Sequence, residues 1–219
     1  MQLTFVRHGE TDWNRQRRIQ GSTDVPLNDT GRRQAREAAR LLARRDWDAV
    51  VTSPLSRAFD TAAIIAEELG LPAPAGDARL VERAYGDAEG LEIAEVDRRY
   101  PGDTFVPGRE ERDAVTERAL AALRDIAQRH PDQNVIVVSH GGLIRSLLVA
   151  AEPRTRHPAI TNGSIHSFRL VGEGVELIRF DDRIDHEGPN DEGIAAQNRL
   201  EARESSLDTD TAQRRMTGP

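Results

Sequence analysis

Apolar residues fall in short blocks along this chain, and each block stops sharply at polar, glycine or proline positions. Leu3-Thr4-Phe5-Val6 reads as a buried strand ending at Arg7-His8-Gly9. Asn28, after Pro26-Leu27, is placed to cap a helix in which Ala35, Ala38, Ala39 and Leu42 recur at helical spacing. Ala49–Thr52 forms a second strand. Ser53-Pro54 then reads as an N-cap with proline at the first helical position, and the helix runs to Gly70, a left-handed stop, with Pro72 beyond. The stretch from Gly86 to Gly108, broken by Pro101, Gly102 and Pro107, reads as irregular. Val115, Ala119, Ala122, Leu123 and Ile126 mark an amphipathic helix that ends near His130-Pro131. Val135–Val138 is the strongest strand, apolar on both faces. It halts at Ser139-His140-Gly141-Gly142 and turns into a helix reaching about Ala151. Ser164–Leu170 and Val175–Phe180 are the last two strand segments.

Strands alternating with helices predict an α/β fold, a three-layer sandwich whose mostly parallel central sheet carries helices on both faces. This pattern covers residues 1–182. Residues 183–219 are polar, show no sustained apolar face, and read as a C-terminal tail, disordered or loosely docked on that domain. The low hydrophobic share of 37% fits a chain of which part stays outside the core. No apolar run approaches the ~18 residues of a membrane span, and the N-terminus opens straight into strand-like residues, so a soluble, cytoplasmic protein is expected. A net charge of −7 without a long basic run argues against nucleic-acid and membrane-surface partners, and a homodimer stays open.

Two features of composition bear on chemistry. There is no cysteine, which excludes disulfides, thiolate metal sites and a thiol nucleophile. There is also no lysine: all 30 basic residues are arginine. Codon bias accounts for that number, so arginine points to phosphate binding only where position supports it.

Position does support it at three strand ends. Ligands of doubly wound sheets bind outside the carboxyl ends of the strands. Arg7-His8, Ser53…Arg57 and Ser139-His140 all fall there. If the three strands are parallel neighbours, two histidines and two arginines meet in one pocket, and such bunching is tolerable only around an anion. A phosphoryl group is such an anion. A neutral imidazole can attack phosphorus, arginines can hold its oxygens, and a carboxylic acid can protonate the leaving alkoxide. No Asp/Glu/His cluster has metal-ligand spacing, so neither metal nor cofactor is expected.

The run Arg7-His8-Gly9-Glu10-Thr11, with Trp13-Asn14, resembles the signature of the histidine phosphatase superfamily, in its phosphoglycerate mutase-like branch. Four further blocks follow in order. They are Gln20-Gly21 with Pro26-Leu27-Asn28 and Gly31; Ser53-Pro54-Leu55-Ser56-Arg57-Ala58 with Thr61; Leu80-Val81-Glu82-Arg83 with Gly86 and Glu89-Gly90; and Ser139-His140-Gly141-Gly142. Asn162-Gly163-Ser164 also fits, and the resemblance covers about residues 1–180. It implies that His8 forms a phosphohistidine, that Arg7, Arg57 and His140 hold the phosphoryl oxygens, and that Glu82 protonates the leaving group and then activates water. Asn14 and Gln20 are implied as further contacts to phosphate or substrate. Glu10, Glu89 and Glu92 stand near enough in sequence to rival Glu82 as proton donor. His130, His157, His166 and His186 have no supporting block and read as structural or surface residues, and Gly21, Gly31 and Gly90 read as backbone requirements.

The resemblance implies a phosphatase acting on a small phosphorylated metabolite, such as a sugar phosphate or a phosphoglycerate derivative. The alternatives are a cofactor-dependent phosphoglycerate mutase and a catalytically inactive relative that binds a phospho-ligand. A mutase needs a second anion site, supplied in similar mutases by a basic segment after Glu89-Gly90. Here the interval Leu91–Gly108 carries only Arg98 and Arg99, against Glu92, Glu95, Asp97 and Asp103. Two departures concern substrate. Ala88 stands where many phosphatases of the family carry Trp, which is expected to remove a pocket wall, and Pro107-Gly108-Arg109-Glu110-Glu111 replaces Pro-Gly-Gly-Glu-Ser.

Overall fold

A computed structural model of the chain describes residues 1–102 and 104–181. In chain order the elements are β1 (Gln2–Arg7), α1 (Asp12–Arg15), α2 (Asp29–Leu42), β2 (Ala49–Thr52), α3 (Ser56–Leu69), β3 (Ala75–Gly76), α4 (Ile93–Arg99), α5 (Arg112–Arg129), β4 (Val135–Ser139), α6 (Gly141–Ala151), β5 (Ile165–Val171) and β6 (Gly174–Arg179). The six strands form one sheet in the order β3-β2-β4-β1-β5-β6. β3, β2, β4 and β1 run parallel, while β5 and β6 are antiparallel to their neighbours. The α/β sandwich with a mostly parallel sheet is therefore observed. The expected tail, 183–219, lies outside the described residues.

Helices cover both faces because the central strands are apolar on both. Leu3 and Phe5 of β1, with Val135 and Val137 of β4, pack against Val115, Leu123 and Ile126 of α5 and Leu143, Ile144 and Leu147 of α6. Val6, Ile136 and Val138 point the other way, onto Ala38, Ala39 and Leu42 of α2 and Ala58, Ala62 and Ile65 of α3. Small alanines on α2 and α3 let both helices lie close to the sheet. A third, smaller cluster of Ile19, Tyr85, Ala88, Ile93, Val96 and Val106 sits under the loops.

Several local expectations hold and others are corrected. Asn28 caps α2, its side chain accepting from Gly31 N at 2.9 Å, and Gly70 ends α3 at φ 67°. Ser53 is not a cap: α3 starts at Ser56 after Leu55, which makes no side-chain cap bond. The Ser53 hydroxyl is used elsewhere, as described below. The stretch 86–108 is not wholly irregular, because Ile93–Arg99 is helical, with Ile93 and Val96 buried. The breakers at 101 and 102 end that helix rather than prevent it.

Candidate active site

Register places the strand ends side by side. Arg7 pairs with Ser139 across β1 and β4, and Thr52 pairs with Val138 across β2 and β4. Pairing continues one residue past the strands, from His8 N to Ser139 O at 2.9 Å and from Ser53 N to Val138 O at 3.0 Å. His8, Ser53 and His140 thus emerge together at the carboxyl ends of these three strands. The two imidazoles lie 5.1 Å apart between ring centroids, tilted by 60°.

His8 is held in one tautomer. Its Nδ1 lies 2.7 Å from the Gly9 carbonyl oxygen. A carbonyl only accepts, so Nδ1 carries the proton and the lone pair is left on Nε2. Burial, followed by the charges of Arg57 and Arg7, pushes the His8 pKa well below the ordinary histidine value, so the ring is neutral at pH 7. Burial and the same arginines lower His140 as well. His140 Nε2 meets the Ser53 hydroxyl at 2.8 Å, and its buried Nδ1 has no hydrogen-bond partner among the described residues.

The arginines are buried charges fixed by backbone oxygens. Arg57 is fully buried and donates to Gly21 O at 2.7 Å and Thr23 O at 2.8 Å. Its pKa is pushed down to about 10, by burial first, against the opposing pull of Glu82 and Asp24, so it stays charged at neutral pH. Its Nε is buried without a partner among the described residues. Arg7 donates to the Ile160 carbonyl and lies against the first turn of α6, where a Cβ built on Gly141 would stand 3.4 Å from its guanidinium carbon. Asn14 is buried. Its Oδ1 accepts from Thr11 N and Thr11 Oγ1, both at 3.1 Å, and its Nδ2 has no partner among the described residues. Gln20, also buried, accepts from Thr11 Oγ1 at 2.9 Å. Asn162 donates to His8 O at 2.9 Å and reaches Asn14 Oδ1 at 3.4 Å, tying the loop before β5 to the histidine.

Of the four carboxylates weighed from sequence, Glu82 is bound to the start of the helix that follows His140, and both Glu82 and Glu89 lie within electrostatic reach of Arg57. Its Oε2 accepts from Gly142 N at 3.0 Å, and its Oε1 accepts from Leu143 N at 3.0 Å and Arg83 N at 2.8 Å. The carboxylate therefore sits on the N-terminus of α6, beside His140 in sequence and within electrostatic reach of Arg57. Glu89 is committed elsewhere: it accepts from Ser22, Thr23 and Tyr85, and these bonds outweigh burial to hold it below the usual range. Glu10 accepts from Asn28 Nδ2 at 2.8 Å, and Glu92 pairs with Arg18 at the surface.

Other expectations resolve as follows. Ala88 is buried among Ile19, Tyr85 and Val96 in the small cluster under the loops. Gly21 and Gly90 adopt φ of 53° and 80°, and Gly31 lies so close to the backbone of Glu10 that any Cβ there would clash, so all three are backbone requirements. His166 is buried against Ser164 with its pKa lowered to about 3 by burial, and His130 lies half-buried beside Gln133. His157 meets Glu152 at 3.0 Å. His186 lies outside the described residues. Among the described residues no group of three His, Asp or Glu is placed to hold a metal ion, and no helix is long and apolar enough to cross a membrane. Sequence reasoning quoted Ser53 and Asn162 but gave them no role in the site. Both lie in motif blocks at strand ends, which was the available signal.

A buried pair of neutral histidines, two buried arginines and a carboxylate on a helix N-terminus define a pocket built to receive an anion. The family model of the histidine phosphatase superfamily (branch 1) matches residues 3–183, and the chain belongs to that family. It is 42% identical over 174 residues to the uncharacterized phosphatase PhoE of Bacillus subtilis, covering 78% of this chain and 89% of that one. It is 34% identical over 181 residues to the metal-independent phosphoserine phosphatase of Arabidopsis thaliana, covering 77% and 76%. The solved structure of mycobacterial glucosyl-3-phosphoglycerate phosphatase in complex with VO3 superposes with a TM-score of 0.74 at 31% identity, covering 83% of this chain and 99% of that one.

Proposed function

We propose that this protein is a phosphatase that hydrolyses a small phosphomonoester through a phosphohistidine on His8, without a metal ion. The observation that carries the reading is the His8–Gly9 hydrogen bond, which leaves the Nε2 lone pair of a neutral ring available in a pocket of buried cations. In the first step Nε2 forms a bond to phosphorus while the ester P–O bond breaks. Glu82 must enter this step as the protonated acid; the leaving alkoxide takes that proton, and the carboxylate left behind is the form that Gly142 N, Leu143 N and Arg83 N hold. In the second step water attacks the phosphohistidine, Glu82 takes its proton, the N–P bond breaks, and inorganic phosphate leaves with His8 restored. Arg7 and Arg57 offset the charge on the phosphoryl oxygens. The buried donors of Arg57 Nε and Asn14 Nδ2 are suited to the same anion, since an unsatisfied buried donor costs about 1–3 kcal/mol. The arginines supply the positive charge that a metal would bring, and the likeness to a phosphatase named metal-independent supports this.

The substrate class we assign is a small phosphorylated metabolite, such as a sugar phosphate, a phosphoglycerate derivative or a phospho-amino acid, in keeping with the names of the relatives. Hydrolysis is favoured over mutase activity by the charge of the loop region. Arg98 and Arg99 both pair with Glu95 on α4, and the acidic residues of the interval Leu91–Gly108 outnumber the two arginines. Asp103 lies outside the described residues. The test is rapid quenching of enzyme during turnover. Acid-labile phosphate on the protein, absent in His8→Ala together with turnover, is expected. Acid-stable phosphate, or a His8→Ala variant with more than a few per cent of activity, refutes the reading. With 3-phosphoglycerate and catalytic 2,3-bisphosphoglycerate, phosphate release is expected to outrun isomerisation, and the reverse order would make the protein a mutase.

A further inference from the structure

We infer that Arg118, locked to Glu110, is a positioning residue that sets the aim of the Glu82 carboxyl group. The inference rests on the reading of Glu82 as proton donor. Glu82 stands on a loop between a 3-10 turn at Ala78–Leu80 and the turn at Gly86–Ala88, with no strand or helix of its own to fix it. The start of α6 holds its carboxylate through Gly142 N and Leu143 N, and one guanidinium holds the backbone that carries it. From α5, Arg118 Nη1 donates to Arg79 O at 2.7 Å and Val81 O at 2.8 Å, and Nη2 donates to Glu82 O at 3.2 Å. Its Nε and Nη2 also donate to the two Glu110 carboxylate oxygens, at 2.8 and 3.0 Å. All five N–H bonds of the side chain are thereby used, one on the 3-10 turn, two on the loop that carries Glu82 and two on Glu110.

Glu110 completes the clamp. Its carboxylate accepts from Ala84 N at 3.2 Å, its backbone N donates to Ala84 O at 2.9 Å, and its carbonyl accepts from Arg83 Nε at 2.7 Å. The loop is thus held on both sides of Glu82. A planar fork of five donors is a geometry that only arginine offers, and lysine, with three rotatable donors on one atom, cannot reproduce it. The Pro107–Glu111 motif, which the proposed chemistry leaves unused, gains a purpose here as the source of Glu110. A proton donor displaced by about 1 Å loses much of its effect, and general acids contribute typically 10²–10⁴-fold. A brace serving stability alone would slow every substrate alike, whereas a brace on the proton donor matters most where the leaving group needs a proton.

The experiment measures kcat/KM for an alkyl phosphate (glycerol 2-phosphate) and an aryl phosphate (4-nitrophenyl phosphate) in the full-length protein and in Arg118→Gln, Arg118→Lys, Glu82→Gln and the double variant Glu82→Gln/Arg118→Gln. In Arg118→Gln the alkyl-to-aryl ratio is expected to fall about 10-fold or more, on the scale of a general acid made ineffective. Arg118→Lys should fall between that variant and the parent. In the Glu82→Gln background the arginine change should alter the ratio no further, because the group it aims is gone. An unchanged ratio in Arg118→Gln beside a selective loss in Glu82→Gln overturns the positioning role while leaving Glu82 as donor. An unchanged ratio in Glu82→Gln overturns the donor reading itself. If Arg118→Gln does not fold, Arg118→Lys decides, and a parental ratio there refutes the inference.

Discussion

Gly142→Ala tests the placement of the proton donor without touching any side chain that carries charge. A Cβ built on Gly142 would stand 2.6 Å from Glu82 Oε1 and 3.2 Å from both its Cδ and the Tyr85 hydroxyl oxygen. Ordinary contact begins near 3.4 Å, so the carboxylate must retreat by about 0.8 Å. It cannot do so freely, because Oε1 and Oε2 are bound by Arg83 N, Leu143 N and Gly142 N at 2.8–3.0 Å. Gly142 lies in the first turn of α6 with a negative φ, so alanine suits its backbone and its helix propensity is better by up to about 1 kcal/mol. The variant should fold, its propensity gain offsetting part of the roughly 1–3 kcal/mol that the tighter packing costs, while its donor is misplaced. A misplacement on the order of 1 Å costs roughly 10²-fold at a reacting group. We therefore expect kcat/KM for an alkyl phosphate to drop about 100-fold, with a much smaller loss for an aryl phosphate, whose leaving group needs little protonation. Because Glu82 is also assigned to activate water, kcat for the aryl ester should fall, with a burst of phenolate and acid-labile phosphate building up on His8. Equal slowing of both esters with no phosphoenzyme accumulating would refute the reasoning.

Three other outcomes are expected. Turnover should survive a chelator, with vanadate inhibiting, and loss of activity restored by a divalent ion would contradict metal independence. A chain ending at Asp182 should fold and turn over at the parental rate, because every residue placed in the pocket precedes it; a large drop in kcat with the fold retained would show that residues 183–219 act on the site. Stability should decline as pH falls from 8 to 5.5, because buried His8, His140 and His166 all have folded pKa values below the unfolded value of ~6.5. The unfolded chain therefore takes up protons first, and the stability present above pH 6.5 is lost progressively below it. His166, lowered to about 3, contributes roughly 1.4 kcal/mol by pH 5.5, and His8 and His140 act in the same direction. A melting temperature that stays flat over that range, measured in phosphate-free buffer, would show that these rings are not held neutral.

Much of this protein is written locally. Strand and helix periodicity, the Asn28 cap and the Gly70 stop depend on neighbours within a turn or two, so the order of elements and the class of fold follow from the sequence alone. So do the identities of His8, Arg7, Arg57 and His140 as residues to watch, because they stand where apolar strands stop. What the sequence could not decide is which strands are neighbours. The order β2-β4-β1 brings together residues more than 130 positions apart, and only that order turns three strand ends into one pocket. The helix Ile93–Arg99 was hidden because two apolar side chains against a small cluster make too weak a period to outweigh the breakers after it. The contacts of Glu82 with the start of α6, and those of Arg118 with the segment 79–82, are hydrogen bonds to backbone groups of distant segments. Such groups are present at every position and leave no mark in the sequence, so only the tertiary structure shows which of them an arginine or a glutamate meets.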